Sequence, residues 1–240
     1  VVASSVERTY GFFGIDAAAV YSISDGRVAL VVSDCVRPKI RPERIHLIAH
    51  KEVLKRLLLE TTVLPLGFGM MAENSQAIRK LLDLNQEALA AELERLADKV
   101  EMGVRVVWDV PNVFAYSIDR HPELRAARDE LLGAHRQASH EDKMQIGRLF
   151  ERLLLEDREL HSQTIEEVIS PCCVELKRLP PRSEKEVLNL SCLLDRPRQK
   201  EFEDAVFAAA KSFDPNFAFD FNGPWPPHNF VAVNLKLEQD

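Results

Sequence analysis

Two histidines, His46 and His50, have the spacing that can place two imidazoles on one face of a helix, where they could bind a metal ion. A zinc protease site with this spacing also needs a glutamate directly after the first histidine, and Leu47 stands there instead. We therefore predict no metal site and interpret both histidines as residues of an amphipathic helix.

The other residues that could do chemistry also lack a required neighbour. Gly67–Gly69 could open a phosphate-binding loop, but Met70 and Met71 stand where a lysine and a hydroxyl residue should follow. No G-x-S-x-G elbow occurs, and the cysteines form no C-x-x-C pair; they are Cys35, Cys172, Cys173 and Cys192. We interpret the cysteines as small buried residues and predict a protein with no cofactor that is not an enzyme.

Composition limits the classes of partner. The 240 residues are 46% apolar and 29% charged, with a net charge of −7, which argues against broad affinity for nucleic acid. No apolar run is long enough to cross a membrane, and we predict a cytoplasmic protein without a signal peptide. A basic segment from Arg37 to Arg56 is either an ordinary solvated surface or a docking patch for an anionic partner.

The first part of the chain alternates short strand patterns with helix patterns. The predicted elements are strands at Tyr10–Ile15, Ala19–Ile23 and Val28–Val32, a helix from Pro42 to the residue before Thr61, a strand at Val63–Met70, and helices beginning near Asn74 and at Asn85. Asp25-Gly26 between two strands is a hairpin signal. The pattern predicts an α+β N-terminal domain over residues 1–98, an α/β sandwich with one small sheet.

The second part of the chain has a different order of elements. They are strands at Glu101–Trp108, Cys173–Arg178, Glu186–Leu194 and Phe217–Phe221, a long helical region at Pro122–Ile169, and a helix at Arg198–Phe213. Ser139 and Asp142 can restart the long helix after a break near Gly133. The order βαββαβ predicts a ferredoxin-like C-terminal domain over residues 99–240, with an extended first helical region.

A proline-rich segment near the end of the chain surrounds a tryptophan. Pro224, Pro226 and Pro227 fix the backbone φ around Trp225 and remove three N–H donors, so this segment cannot be a central strand. An aromatic side chain held between prolines loses little entropy when a partner covers it. We predict that the segment either buries Trp225 in its own domain or presents it to a partner.

This segment is also where the chain resembles a known family. The sequence is similar to the GvpF/GvpL family of gas vesicle proteins at Thr62–Gly69, at Val100–Gly103 and, most specifically, at Gly223–Phe230. Shorter matches at Tyr10-Gly11 and Leu193–Arg196 extend the resemblance over nearly the whole chain.

The resemblance implies a non-enzymatic accessory or minor structural protein of gas vesicles. Its implied partner is the small hydrophobic major shell protein of GvpA type, and other accessory proteins are possible partners. Binding would prevent aggregation of shell monomers or seed the shell. The predicted partner-binding residues are Trp225, Phe230 and Phe68. The resemblance implies neither a nucleic-acid nor a membrane partner.

Two other readings remain open at this point. A ferredoxin-like domain can bind small molecules on its sheet or at subunit edges, so a regulatory ligand-binding module is the main alternative. The basic segment from Arg37 to Arg56 leaves a phosphate or nucleic-acid binder as a weaker one, whose affinity would fall steeply with salt.

Overall fold

The hairpin predicted at Asp25-Gly26 joins the two central strands of the first sheet. In the computed structural model, which describes residues 1–133 and 139–236, Gly26 has a φ of +94°, a conformation that favours glycine. The Asp25 carboxylate accepts hydrogen bonds from the N–H groups of Arg27 and Val28, both at 2.9 Å. The predicted hairpin is confirmed.

The first sheet has four short strands. They are β1 (Val2–Ala3), β2 (Thr9–Phe13), β3 (Ala19–Ser24) and β4 (Val28–Ser33), in the spatial order β1-β4-β3-β2. Each neighbouring pair is antiparallel, and the β2–β3 register shifts between Thr9 and Phe13.

Two helices supply a core for each face of this sheet. They are α1 (Arg44–Glu60) and α2 (Ser75–Arg95). Val28 and Leu30 of β4 pack in one cluster with leucines of α2, whereas Ala29 between them packs in another with leucines of α1. Because successive side chains of a strand point to opposite faces, β4 contributes to both clusters.

Two predictions in this region are wrong. Asn74 does cap α2, accepting a hydrogen bond from the Ala77 N–H at 2.9 Å, but α2 continues through Asn85, which lies buried within it. The predicted strand at Val63–Met70 is reduced to a single bridge between Val63 and Val2. Pro65, two residues after Val63, removes a donor that a continuing ladder would need.

The second sheet and its helices follow the predicted order of elements. They are β5 (Lys99–Trp108), α3 (Val113–Arg120), α4 (Pro122–Gly133), α5 (His140–Ile169), β6 (Glu175–Arg178), β7 (Glu186–Asp195), α6 (Gln199–Ala210) and β8 (Phe217–Trp225). The strands lie in the order β6-β7-β5-β8. The short helix α3 was not predicted, and β6 begins at Glu175 instead of the predicted Cys173, after a 3₁₀ turn at Ser170–Cys172.

The helix start predicted from Ser139 and Asp142 is confirmed. The Ser139 hydroxyl accepts from the Asp142 N–H at 3.1 Å, and the Asp142 carboxylate accepts from the Ser139 N–H at 3.0 Å. This reciprocal capping satisfies two N–H groups that helix α5 could not pair internally.

The α+β class is confirmed, and the contacts of the chain group into two units. Unit 1 contains Val1–Met102, Leu193–Arg196 and Gly223–Asp240, and unit 2 contains Gly103–Cys192 and Pro197–Asn222. The predicted domains, residues 1–98 and 99–240, stay a prediction. The grouping places the proline-rich segment with the first sheet and its two helices.

Candidate functional site

The proline-rich segment begins at a glycine whose position admits no side chain. Gly223 has a φ of +126°, and a Cβ built there would lie 2.6 Å from the Met102 sulfur and 2.9 Å from the Glu101 carbonyl oxygen. The backbone therefore approaches its neighbours more closely than any other residue would allow. This contact lies within β8, two residues before the strand ends at Trp225.

Trp225 is half-buried at the end of β8. The Lys55 ammonium of α1 lies 5.0 Å from the centroid of its ring, within the range of a cation–π contact. Pro226 and Pro227, which follow, are buried. Trp225 is therefore followed by two buried prolines, while Trp225 itself stays partly exposed.

Phe68 also contacts α1, at His50, which lies five residues before Lys55. Its ring packs edge-on against the His50 imidazole, with the centroids 5.7 Å apart. Burial lowers the pKa of His50, and the charge of His228 lowers it further. We call Phe68, His50, Lys55, Trp225 and His228 the Trp225 face.

Opposing effects act on the pKa of His228. Burial is the main cause that lowers the pKa of His228; Lys51 lowers it further, and Glu101 opposes both. With its pKa lowered by burial, the imidazole is neutral at neutral pH. It then adds a polar but uncharged group near His50.

Phe230 is separate from this face. Only 1% of its surface is exposed, and it packs in the cluster that α2 forms with the first sheet. The structure therefore brings two of the three predicted residues, Trp225 and Phe68, to α1 and places the third in the core.

The polar residues that hold the following segment were missed by the sequence reasoning. Asn85, Glu92 and Glu101 are at most 9% exposed, and each bonds to residues beyond Pro227. A signal was present for two of them: Asn85 and Glu92 interrupt the apolar stripe of α2, where a polar residue needs a buried partner.

The chain matches a known protein family over almost its whole length. The family described as gas vesicle synthesis protein GvpL/GvpF matches residues 1–232. The chain belongs to the GvpL/GvpF family. The resemblance inferred from the proline-rich segment is confirmed, and the Trp225 face lies within the matched region.

Individual GvpL/GvpF relatives match over almost their full length. Gas vesicle protein F of Nostoc sp. strain PCC 7120 is 27% identical over 95% of this chain and 94% of its own. Gas vesicle protein F of Streptomyces sp. strain CB03234 is 28% identical over 95% and 94%. The crystal structure of the gas vesicle protein GvpF from Anabaena sp. PCC7120 has a TM-score of 0.81 at 26% identity, covering 96% of this chain and 100% of that chain.

His46, the other histidine considered as a metal ligand, makes structural contacts in this GvpL/GvpF chain. His46 is buried, with Nδ1 3.1 Å from the Arg41 carbonyl oxygen and Nε2 3.5 Å from Asp16. His50 instead contacts Phe68, so the two histidines have different neighbours. Across residues 1–133 and 139–236, no three His, Cys, Asp or Glu side chains form a group that could hold a metal ion.

A small cavity lies between α1 and the first sheet. It has a volume of about 120 Å³ and is lined mainly by apolar residues, with His50 on its wall. Typical sites for small-molecule ligands begin near about 300 Å³. The cavity therefore gives no support to the ligand-binding alternative. Among the helices of the described residues, none is both long and apolar enough for a membrane span.

Proposed function

We propose that this protein is a non-enzymatic accessory or minor structural protein of gas vesicles, which takes part in their assembly by binding the hydrophobic major shell protein of GvpA type. The observation that carries the proposal is the match of the GvpL/GvpF gas vesicle synthesis family over residues 1–232. In this role it acts at the gas vesicle, where other accessory proteins are further partners.

A physical requirement supports this role. Shell monomers that will border a gas space carry apolar surface, which aggregates in water unless a partner covers it or directs its assembly. A binding partner must then present apolar groups of its own without burying them in its core. The Trp225 face is a surface of this kind.

Exposed apolar side chains continue from Phe68 along the chain. Met70 and Met71 are 53% and 43% exposed. On α1, Ile48 is 50% exposed. Methionine adapts to irregular apolar partners, whereas Trp225 and Phe68 are rigid anchors of the type found at binding hot spots. We place the contact with the shell protein here, with Trp225 and Phe68 at its centre.

Co-expression with the major shell protein tests the proposal. Soluble and floating fractions would be separated, and the protein quantified in each. We expect association in at least one fraction, and the Phe68→Ala/Trp225→Ala variant should lower it at least about tenfold, as the loss of hot-spot anchors does. Trp225→Phe, which keeps an aromatic ring over Lys55, should retain most of it.

Leu160→Ala is the control, since it removes a 60% exposed apolar side chain from unit 2. It should leave association within about twofold of the parent. A folded double variant that associates as well as the parent would show that the Trp225 face is not the contact. No association of the parent in either fraction would overturn the proposed function and favour the ligand-binding alternative.

A further inference from the structure

The last described residues lie on unit 1 in a strand-like manner without belonging to a sheet. Val231, Val233 and Leu235 pack against the core cluster that α2 forms with the first sheet, while Ala232 and Asn234 between them are exposed. This period of two is that of a strand with one buried face. Yet the segment is in neither sheet of the described residues. Its support must come from side chains.

Side chains of α2 form hydrogen bonds with the backbone of this segment. The Asn85 side-chain amide donates to the Lys236 carbonyl at 3.0 Å, and its oxygen accepts from the Lys236 N–H at 2.8 Å. Glu92 accepts from the Ala232 N–H at 2.8 Å. Asn85 thus makes the pair of bonds that a neighbouring strand would make. We call the surface formed by Asn85, Glu92 and the apolar stripe of α2 between them the α2 groove.

The start of the segment is anchored differently. Phe230 is in the core, Arg95 donates to its carbonyl oxygen, and Glu101 accepts from the Asn229 N–H at 2.8 Å and from its side-chain amide at 2.6 Å. Here unit 1 contacts both the large side chain of Phe230 and the side-chain amide of Asn229. Residues 229–230 are therefore a specific anchor, whereas residues 231–236 are held by backbone bonds and small apolar contacts.

The α2 groove needs an occupant. With the segment in place Asn85 is 3% exposed and Glu92 is 8% exposed, so removing the segment would break its hydrogen bonds to both residues and would expose apolar surface to water. The groove selects little beyond an extended backbone with apolar residues at alternate positions, because its polar bonds go to main-chain atoms. Another segment with that pattern satisfies the same requirements.

We propose that the α2 groove is a binding site for an extended peptide segment of a partner protein, with apolar residues at alternate positions, and that the chain's own residues 231–236 occupy it in cis. The partner segment replaces residues 231–236 while the anchor at Phe230 stays in place. Occupancy in cis keeps the groove closed until such a segment competes. This inference does not depend on binding of the shell protein or on the Trp225 face.

A fluorescent peptide with the sequence of residues 231–236 tests this competition in the full chain by anisotropy. The Val233→Asp/Leu235→Asp variant places charges on the buried side of the segment and should release it from the groove. Because apparent affinity is reduced by the fraction of protein whose site is closed, this variant should bind the peptide at least about tenfold more tightly than the parent.

Ala232→Asp/Asn234→Asp is the matched control, since it adds the same two charges at exposed positions of the same segment. It should bind the peptide as weakly as the parent. Adding Asn85→Ala to the released variant should weaken binding again, and a peptide with aspartate at the positions of Val233 and Leu235 should not bind. A folded released variant that does not bind, or that binds both peptides equally, would overturn the proposal.

Hydrogen exchange of the parent protein gives a second test that does not depend on a variant folding. The proposal expects the amides of Ala232 and Lys236 to exchange through local opening, faster than the amides of Leu89 and Leu93 in α2. If the amides of Ala232 and Lys236 exchange only when the whole of unit 1 unfolds, the segment cannot be displaced and the inference is wrong.

Discussion

Trp225 and Phe230 belong to the same short motif, but the structure gives them opposite environments. Trp225 is half-buried beside Lys55, whereas Phe230 is 1% exposed in the core of unit 1. Between them, the N–H groups of Phe230 and Val231 bond to the Pro227 carbonyl at 3.1 and 3.2 Å and form a turn. One motif therefore supplies a partly exposed aromatic and a core aromatic.

The largest expected effect comes from truncating the buried aromatic. Phe230→Ala should lower the free energy of unfolding by about 3–5 kcal/mol, because it removes a large apolar side chain and leaves a cavity. Trp225→Ala should cost clearly less, since its ring is only partly buried. Urea titration followed by circular dichroism measures both.

Phe13→Ala is the control for this comparison, because Phe13 is 67% exposed in β2. It should change the free energy of unfolding by no more than about 0.5 kcal/mol. Equal costs for Phe230→Ala and Trp225→Ala would mean that the two aromatics do not have the different roles described above.

A smaller effect is expected at the glycine that begins the motif. Gly223→Ala should destabilise the protein by about 1–3 kcal/mol, because a Cβ would meet the Met102 sulfur and the Glu101 carbonyl oxygen while φ stays at +126°. Thermal unfolding measures the loss.

Gly11→Ala provides the matched substitution, since Gly11 has no neighbour within 4 Å of a Cβ. There the loss of unfolded-state freedom should make the change neutral or slightly stabilising. A Gly223→Ala variant that is as stable as Gly11→Ala would contradict the close approach of the two backbones.

The smallest expected effect concerns pH and the Trp225 face. Burial lowers the pKa of His50 and of His228, so the unfolded chain binds protons at higher pH than the folded chain does. Their contribution to stability is fully present above about pH 6.5 and is lost as pH falls through their folded pKa values. The protein should therefore lose stability in mild acid.

Urea titrations at about pH 7.5 and about pH 5.5 test this sign. The His50→Gln/His228→Gln variant should lose less stability between the two values than the parent. His161 in unit 2 also has a pKa lowered by burial, so some loss should remain. A parent protein that becomes more stable in acid would show that folding does not lower the pKa values of these histidines.

Features with short-range causes could be predicted from the sequence. The β3–β4 hairpin follows from Asp25-Gly26, and the start of α5 follows from Ser139 and Asp142, because each set of bonds joins residues close in the chain. The order of strands and helices could be predicted for the same reason. Asn85 could not be interpreted locally, since its partner Lys236 is 151 residues away.

The strand predicted after α1 failed for a related reason. Val63 and Leu64 are apolar enough for a strand, and both are buried in the clusters that the first sheet forms with α1 and α2, but Val63–Met70 does not form a strand of that sheet. Apolar residues report burial, and the local pattern of Val63–Met70 does not report which element buries them.

By itself, the sequence determined most of the local elements, the α+β class and, through the motif at Gly223–Phe230, the family. The tertiary structure decided which aromatic of that motif stays at the surface. It also decided that Phe68 and Trp225 both contact helix α1 and that Asn85 and Glu92 bond to residues of the segment 231–236. These outcomes depend on contacts between distant parts of the chain, whose partners local propensity and periodicity do not specify.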